Sequence, residues 1–402
     1  MKLWTGQTVS ELGSRITRDG LPLAAVITRH ATPFQMGVLR ALGGAAVLLL
    51  GLYAGLWVDR LRRRPILVAA DIGGAFLLAA IPLAAAAHLL TMPLLYVVAA
   101  LAGIMTVFFD VAYLTYVPAL VERANVLEAN AKLAVSASIA EVIGPGLTGV
   151  LVQILTAPIA ILFDAISFLF SAVMVGSIRG HEPAPERHSA ANPVREALAG
   201  FRCIGANPLL RALAAYAVTT YFCYGIFGAL YVVYAIRDLK MSAILLQVAI
   251  MCGGLASLIA SSLARRVSGR FGLGATFVVS ATMIGAGCFL IPAAQGGIVR
   301  ATSLIVLSQF VCDFHLVIYN VHEVSLRQTL APHDALGRVN ASMRLLTFGI
   351  LPIGSVAGGL IAGPVGMRGA MYVAAAGITA SALWLVCSPV RRLRAIEAAA
   401  GA

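Results

Sequence analysis

The 402-residue chain is 60% hydrophobic and only 11% charged, with a mean hydropathy of +0.92, whereas a soluble domain carries about a quarter charged residues. That excludes a water-soluble globular protein and leaves room for about twelve helical spans of ~20 residues. The formal net charge of +12 falls in a few short hydrophilic gaps rather than in a soluble basic domain, which excludes nucleic acid as a partner.

Alanine-, leucine- and glycine-rich runs without alternation argue for an all-α integral membrane protein, not a barrel. The first span is expected at 4–28. Its apolar run is broken by Glu11, Arg15, Arg18 and Asp19, unlike the clean core of a signal peptide. Glu11, Arg15 and Asp19 recur every fourth residue and can pair on one face. Arg15 and Asp19 lie ~16–23 Å along the helix from Trp4, within the hydrocarbon. They read either as a self-neutralised structural pair or as function: Asp19 exchanging a proton, Arg15 and Arg18 attracting an anionic group.

The second span, 35–58, ends in GLYAGLWVDRLRRRP, a charged elbow from Gly51 to Pro65. The third, 66–89, carries Asp71. The fourth, 93–117, sets Thr106, Asp110 and Tyr113 on one face, and Asp110 is a candidate for gating or coupling. After VERANVLEANAK comes the fifth span, 133–155, with Glu141 one turn before Gly144 and Pro145. Proline removes a backbone hydrogen bond and glycine permits close helix contact, so Gly144, Pro145 and Gly149 form a candidate hinge. The sixth span, 158–178, holds Asp164. Asp71 and Asp164 are both read as structural, capping or pairing near helix ends.

Residues 179–208, opening RGHEPAPERHSAANP, read as a linker. Six further spans are expected at 209–235, 243–266, 273–294, 300–321, 338–362 and 368–388, before a basic tail. In the first of these, Tyr216, Thr220, Tyr224, Phe227 and Tyr231 follow helical spacing, either as packing or as an aromatic wall for a loosely selective pocket. In the fourth, Ser308, Cys312, His315, Tyr319 and His322 form a polar stripe, and His315 is a coupling candidate.

A shift of 210 residues lays Arg60 on Arg270, Asn130 on Asn340 and Gly149 on Gly359. Parallel halves of this kind place a binding site near the bilayer midplane. The expected division is a six-helix bundle at 1–180, a linker at 181–208, a second bundle at 209–390 and a tail at 391–402. Loops on the elbow's side hold roughly four times the basic residues of the opposite loops, which places the elbow, the linker and both termini in the cytoplasm. The six cysteines are scattered singly and read as small core residues. The sequence has no P-loop, zinc spacing, G-x-S-x-G or H-E-x-x-H, so no cofactor or metal is expected, and an ion gradient rather than ATP or enzymatic chemistry supplies the drive.

The elbow resembles the major facilitator superfamily signature between the second and third spans. Gly55, Asp59, Arg60, Arg63 and Arg64 occupy its positions, while Arg62 stands where glycine is usual. SIAEVIGPGLTGVL is similar to the superfamily's antiporter signature, with Thr148 in place of a glycine. PALVERANVLEANA and LAPHDALGRVNA are similar to the efflux branch of enterobactin exporters and macrolide efflux proteins. The R-x-x-Q-G of many proton-coupled drug antiporters is missing from the fourth span, which reads GIMTVFFDVAYLTYVPAL.

The resemblance implies a monomeric, proton-coupled exporter of a small amphiphile in a bacterial inner membrane, embedded in the lipid bilayer and working by alternating access. Proton candidates are Asp19, Asp110, Glu141 and His315. Spans 1, 4, 7 and 10 would line the cavity, with Arg15, Arg18, Tyr113, Tyr224, Tyr231 and Tyr319 as candidates. The gate would comprise Gly55, Asp59, Arg60, Arg63, Arg64 and Arg270. Asp59 would meet a helix N-terminus of the other half, where the macrodipole favours an anion, and the arginines would meet Asp110 or Glu122. The alternatives are a facilitator or importer of an anionic amphiphile or nutrient, and a receptor without flux.

Overall fold

The computed structural model describes residues 1–58, 60–120, 125–178, 193–332 and 335–394. Asp59 and Glu122, expected at the gate, lie outside the described residues, as do 179–192 of the linker and 395–402 of the tail. Every regular element among the described residues is helical.

Six helices come first: α1 (Lys2–Arg29), α2 (Pro33–Val58), α3 (Arg63–Ala86), α4 (Met92–Leu120), α5 (Val126–Ile154) and α6 (Ala157–Gly176). A short amphipathic helix follows, α7 (Pro193–Ala206). Then come α8 (Pro208–Val233), α9 (Ala243–Phe271), α10 (Leu273–Ala293), α11 (Ile298–Leu330) and α12 (Leu336–Val386). Ten of these are long and apolar enough to cross a membrane by length and composition. α12 counts once among the ten but consists of two helices that meet at Gly366, whose φ of 75° and ψ of 163° are non-helical. α1 does not qualify, because Glu11, Arg15, Arg18 and Asp19 sit in the middle of its 28 residues. With α1 and both arms of α12 the described residues form twelve membrane-length helices, and α7 is additional.

α5 and α11 overrun their expected limits the furthest, for a local reason each time. α5 starts at Val126 because LEANAK continues as helix, with Lys132 Nζ 2.7 Å from Glu128 Oε1 one turn earlier. α11 runs on to Leu330 across the Glu323–Arg327 pair, again one turn apart, at 3.0 Å. Pairs of this spacing support a helix.

The chain divides into two compact units, one of Met1–Ala190 with Ser242–Met251, the other of Ala191–Met241 with Cys252–Ala402. Without water to drive association, membrane helices pack by close approach of small residues. In the first unit α1 lies on α6, where a Cβ on Gly13 would sit 2.6 Å from Asp164 Oδ1. In the second unit α8 meets both arms of α12: Gly354 abuts the Phe222 backbone and Gly377 abuts Cys223 Sγ. α7 docks beside the start of α12, burying Ala197 and Ile204, and Ser342 Oγ donates to the Ala197 carbonyl at 3.0 Å.

Candidate functional site

The first unit concentrates charge where α1 faces α5. Arg15 is buried. Its Nη1 donates to Glu141 Oε2 at 2.8 Å, and its Nε lies 3.5 Å from Asp19 Oδ2. Arg18 reaches the same Glu141 oxygen at 3.6 Å. The expected pairing of Arg15 with Asp19 is present, but Glu11 does not join it. Glu11 accepts instead from Gln7 Nε2 at 2.9 Å, and Glu141 takes its place from the neighbouring helix. Room for this comes from Gly144: a Cβ there would lie 2.8 Å from Arg15 Cβ and closer still to Cγ. Pro145 donates no hydrogen bond back to the Glu141 carbonyl, yet α5 stays helical through it. Gly149 abuts Ile244 and Gln247, which cluster with this unit.

Asp71 and Asp164 are not near helix ends. Each lies well inside its helix, and they are 2% and 1% exposed. Asp164 Oδ1 accepts from Ser167 Oγ at 3.1 Å, and the groups acting on it are Thr17, Ser167 and Asp71, with no arginine among them. On α4, Asp110 is exposed, and Tyr113 stacks on Phe109 at 5.9 Å.

In the second unit a cavity of about 550 Å³ opens between α8, α11 and the first arm of α12. Tyr216, Tyr221, Tyr319 and Phe348 give it an aromatic wall, while Asn320, Asn340, Arg344 and the Glu323–Arg327 pair supply polar groups. Tyr216 and Tyr319 are in contact, ring centroids 4.5 Å apart. Among the described residues, both hydroxyls and Asn340 Oδ1 are buried without a hydrogen-bond partner. Buried polar atoms in that condition are costly, and a ligand offering donors and acceptors would satisfy them.

The polar stripe expected on α11 divides. Ser308 Oγ donates to the Gly287 carbonyl at 2.8 Å and Cys312 Sγ lies 3.4 Å from that of Ile284, so this end is the seam with α10. His322 Nδ1 is 2.7 Å from the Ile318 carbonyl, and His315 packs edge-on to Phe314 at 5.3 Å. Tyr319 alone of the stripe lines the cavity. Likewise Tyr216 and Thr220 line it, whereas Tyr224, Phe227 and Tyr231 belong to the packed core of α8, α10 and α12. Among the described residues no three His, Cys, Asp or Glu side chains converge as a metal site.

Residues 3–350 match the family model described as Major Facilitator Superfamily. The chain belongs to the major facilitator superfamily. It is therefore a multi-pass membrane protein and a secondary transporter of a small molecule, not an enzyme. No curated protein matches its sequence. Among solved structures it is similar to a bacterial homologue of the iron transporter ferroportin in the inward-facing state, at 16% identity and a TM-score of 0.75, covering 96% of this chain and 97% of that one. It is also similar to the nucleoside transporter NupG, at 12% identity and a TM-score of 0.75, covering 96% and 98%. A bacterial homologue of the lysosomal transporter Spinster, inward-facing and occupied, aligns at 12% identity and a TM-score of 0.72, covering 97% and 96%. At such identities these likenesses establish the fold alone.

In this transporter the elbow residues separate by exposure. Gly55 lies on α2, and Arg60 follows in an exposed turn. Arg63 and Arg64 open α3, and Arg64 Nη2 donates to the Gly176 carbonyl at the end of α6. Arg270 closes α9 and lies over the Phe271 ring at 5.8 Å. Sequence reasoning passed over Arg40, Tyr221, Glu323, Arg327, Asn340 and Arg344. For Glu323 and Arg327 the i, i+4 spacing was a readable signal. Arg40 is a lone cation in an apolar run, and its membrane depth was the signal.

Proposed function

We propose that this transporter is a proton-coupled exporter of a small amphiphilic molecule, working as a monomer by alternating access of two bundles, 1–180 and 209–390, joined by the 181–208 connection. The observation that carries the reading is Arg15 held between Asp19 on its own helix and Glu141 on the next. Removing one partner from a buried ion costs about 3–5 kcal/mol. A proton on Glu141 removes the ion pair that joins α1 to α5, and a proton on Asp19 shifts the Arg15 charge onto Glu141, so proton occupancy is tied to the contact between the two helices. Asp19 is the first candidate for the proton, followed by Asp110 and Glu141, with His315 in the other unit. Gly144, Pro145 and Gly149 give α5 its bending point. In this reading Arg15, Arg18, Tyr113, Tyr224, Tyr231 and Tyr319 are the cargo candidates.

The outward direction rests on the likeness of PALVERANVLEANA and LAPHDALGRVNA to the efflux branch. The charge asymmetry supports a bacterial inner membrane with both termini in the cytoplasm. The elbow, Gly55 to Arg64 with Asp59, serves as the cytoplasmic gate together with Arg270.

Proteoliposomes loaded in turn with macrolide, dye, siderophore and lysolipid test the reading. An imposed pH gradient should drive at least one of them against its concentration. An unchanged concentrating ratio after the gradient is dissipated would sink proton coupling.

A second reading, a facilitator or importer of an anionic amphiphile or nutrient, draws on Arg18, which is 60% exposed and 3.6 Å from Glu141. Arg15→Ala separates the two: anion binding lost with proton movement intact favours the second.

A further inference from the structure

The first unit also holds a cavity of about 370 Å³, bounded by α1, α2, α3, α4 and α6, which shares Arg18 with the charged α1–α5 contact. Its polar groups are Ser14, Thr17, Arg18, Arg40, Thr106 and Asp164. The rest of the lining is leucine, valine, alanine, glycine and proline, with Phe168 on α6. A volume near the low end of small-molecule pockets, mostly apolar with a few convergent polar groups, is the ordinary form of a binding site.

Charge decides what it takes. Arg40 projects from α2, and among the described residues no carboxylate comes within ion-pair distance of it. The charged groups acting on Arg40 are Asp19, which attracts, and Arg18, which repels. Asp19 is already engaged by Arg15, and Glu141 is shared between Arg15 and Arg18. Three arginines thus face two carboxylates. Asp164 does not close the account, because its neighbours are hydroxyls and Asp71 rather than an arginine. On the cavity wall, the Thr17 hydroxyl lies beside Asp164. A cation at membrane depth with no carboxylate in ion-pair contact is costly and by default functional.

We infer that this cavity binds the head of an amphiphilic monoanion, its charge on Arg40 and its chain along the apolar wall toward Phe168. Arginine's planar fork suits a carboxylate or phosphate oxygen pair. The inference deepens the exporter reading by naming the cargo's charge, and rests on that reading for the bound anion being cargo. Binding itself needs no gradient, so the two can fail separately.

The test uses the full chain in phosphatidylcholine nanodiscs, with radiolabelled decanoate measured by scintillation proximity against empty nanodiscs. Saturable decanoate binding is expected, displaced by decyl phosphate and not by decanol or decylammonium. Arg40→Gln should weaken it at least tenfold, and Arg40→Lys should retain part of it. The charge series on the unaltered protein decides the matter even if Arg40→Gln does not fold. Equal competition by decanol or decylammonium, binding no greater than to empty discs, or wild-type affinity in a folded Arg40→Gln would overturn the proposal. Phosphatidylglycerol in the discs separates the sources: displacement of decanoate makes a lipid headgroup the occupant of the same anion site, and no displacement makes it a free amphiphile. If decanoate binds yet no gradient drives any cargo, the site stands and the exporter reading falls.

Discussion

Gly144 and Arg15 occupy one volume: the hydrogen at position 144 is what lets the arginine's β and γ carbons lie against α5. Those carbons are near the backbone and cannot swing away as the tip of a long side chain can. Gly144→Ala should therefore push Arg15 off Glu141 and cost about 1–3 kcal/mol, the usual price of overpacking. Thermal unfolding in detergent reads it. Gly146→Ala is the control, since the first atom its Cβ would meet is the flexible Met251 sulfur, at 3.0 Å. Equal melting temperatures for the two variants would contradict this account.

The two acids around Arg15 should not be equivalent. Glu141 is 53% exposed and Asp19 only 14%. Solvent screens the first, so Glu141→Gln should cost about 1 kcal/mol or less. Asp19→Asn leaves a buried guanidinium short of a counterion and should approach about 3 kcal/mol. Under the exporter proposal, Asp19→Asn also abolishes gradient-driven transport while preserving exchange of cargo across the membrane. Retained uphill transport in that variant would move the proton site elsewhere.

Glu323 and Arg327 offer the complementary experiment. Both are largely buried and 3.0 Å apart. Glu323→Gln alone strands the arginine and should cost about 3–5 kcal/mol, whereas Glu323→Gln with Arg327→Met should recover most of it. Urea unfolding of the three proteins completes the cycle. A double variant as unstable as the single one would mean that the two side chains act through the cavity rather than through each other.

How far the sequence carried depended on whether the signal was local. Twelve membrane-length helices were readable from apolar run length, and the pairing of Arg15 with Asp19 from a spacing of four. Glu141 was visible as an acid at depth, but its pairing with Arg15 joins residues 126 positions apart and depends on Gly144 being small. No periodicity encodes that. The α11 stripe failed for the same reason. Spacing places Ser308, Cys312 and Tyr319 on one face, but only the position of α10 decides which part is seam and which part is cavity. α7 was hidden because its polar, proline-led stretch resembles a connection, and the helix is held by burial of Ala197 and Ile204.

On α8, the Phe222 carbonyl fills the space beside Gly354, and a Cβ there would lie 2.8 Å from the Phe222 carbonyl carbon. A backbone neighbour cannot repack, so Gly354→Val should separate α8 from the first arm of α12 and cost at least about 3 kcal/mol. Gly363→Ala, with open space around its Cβ, should change little. Melting curves of both variants check this, and a stable Gly354→Val would place the α8–α12 contact elsewhere.

The break at Gly366 has a consequence for how the protein is made. Gly354 and Gly377, which meet neighbouring residues of α8, lie almost equally far before and after it. The last two membrane-length helices are thus hinged by one residue in a conformation close to the region reserved for glycine, with no hydrophilic loop between them to be carried across a bilayer. During synthesis they have to enter the membrane together as a hairpin, and only after the ribosome has delivered the far arm. Until then α8 lacks half of its packing surface, so the second unit cannot finish folding before the chain is almost complete.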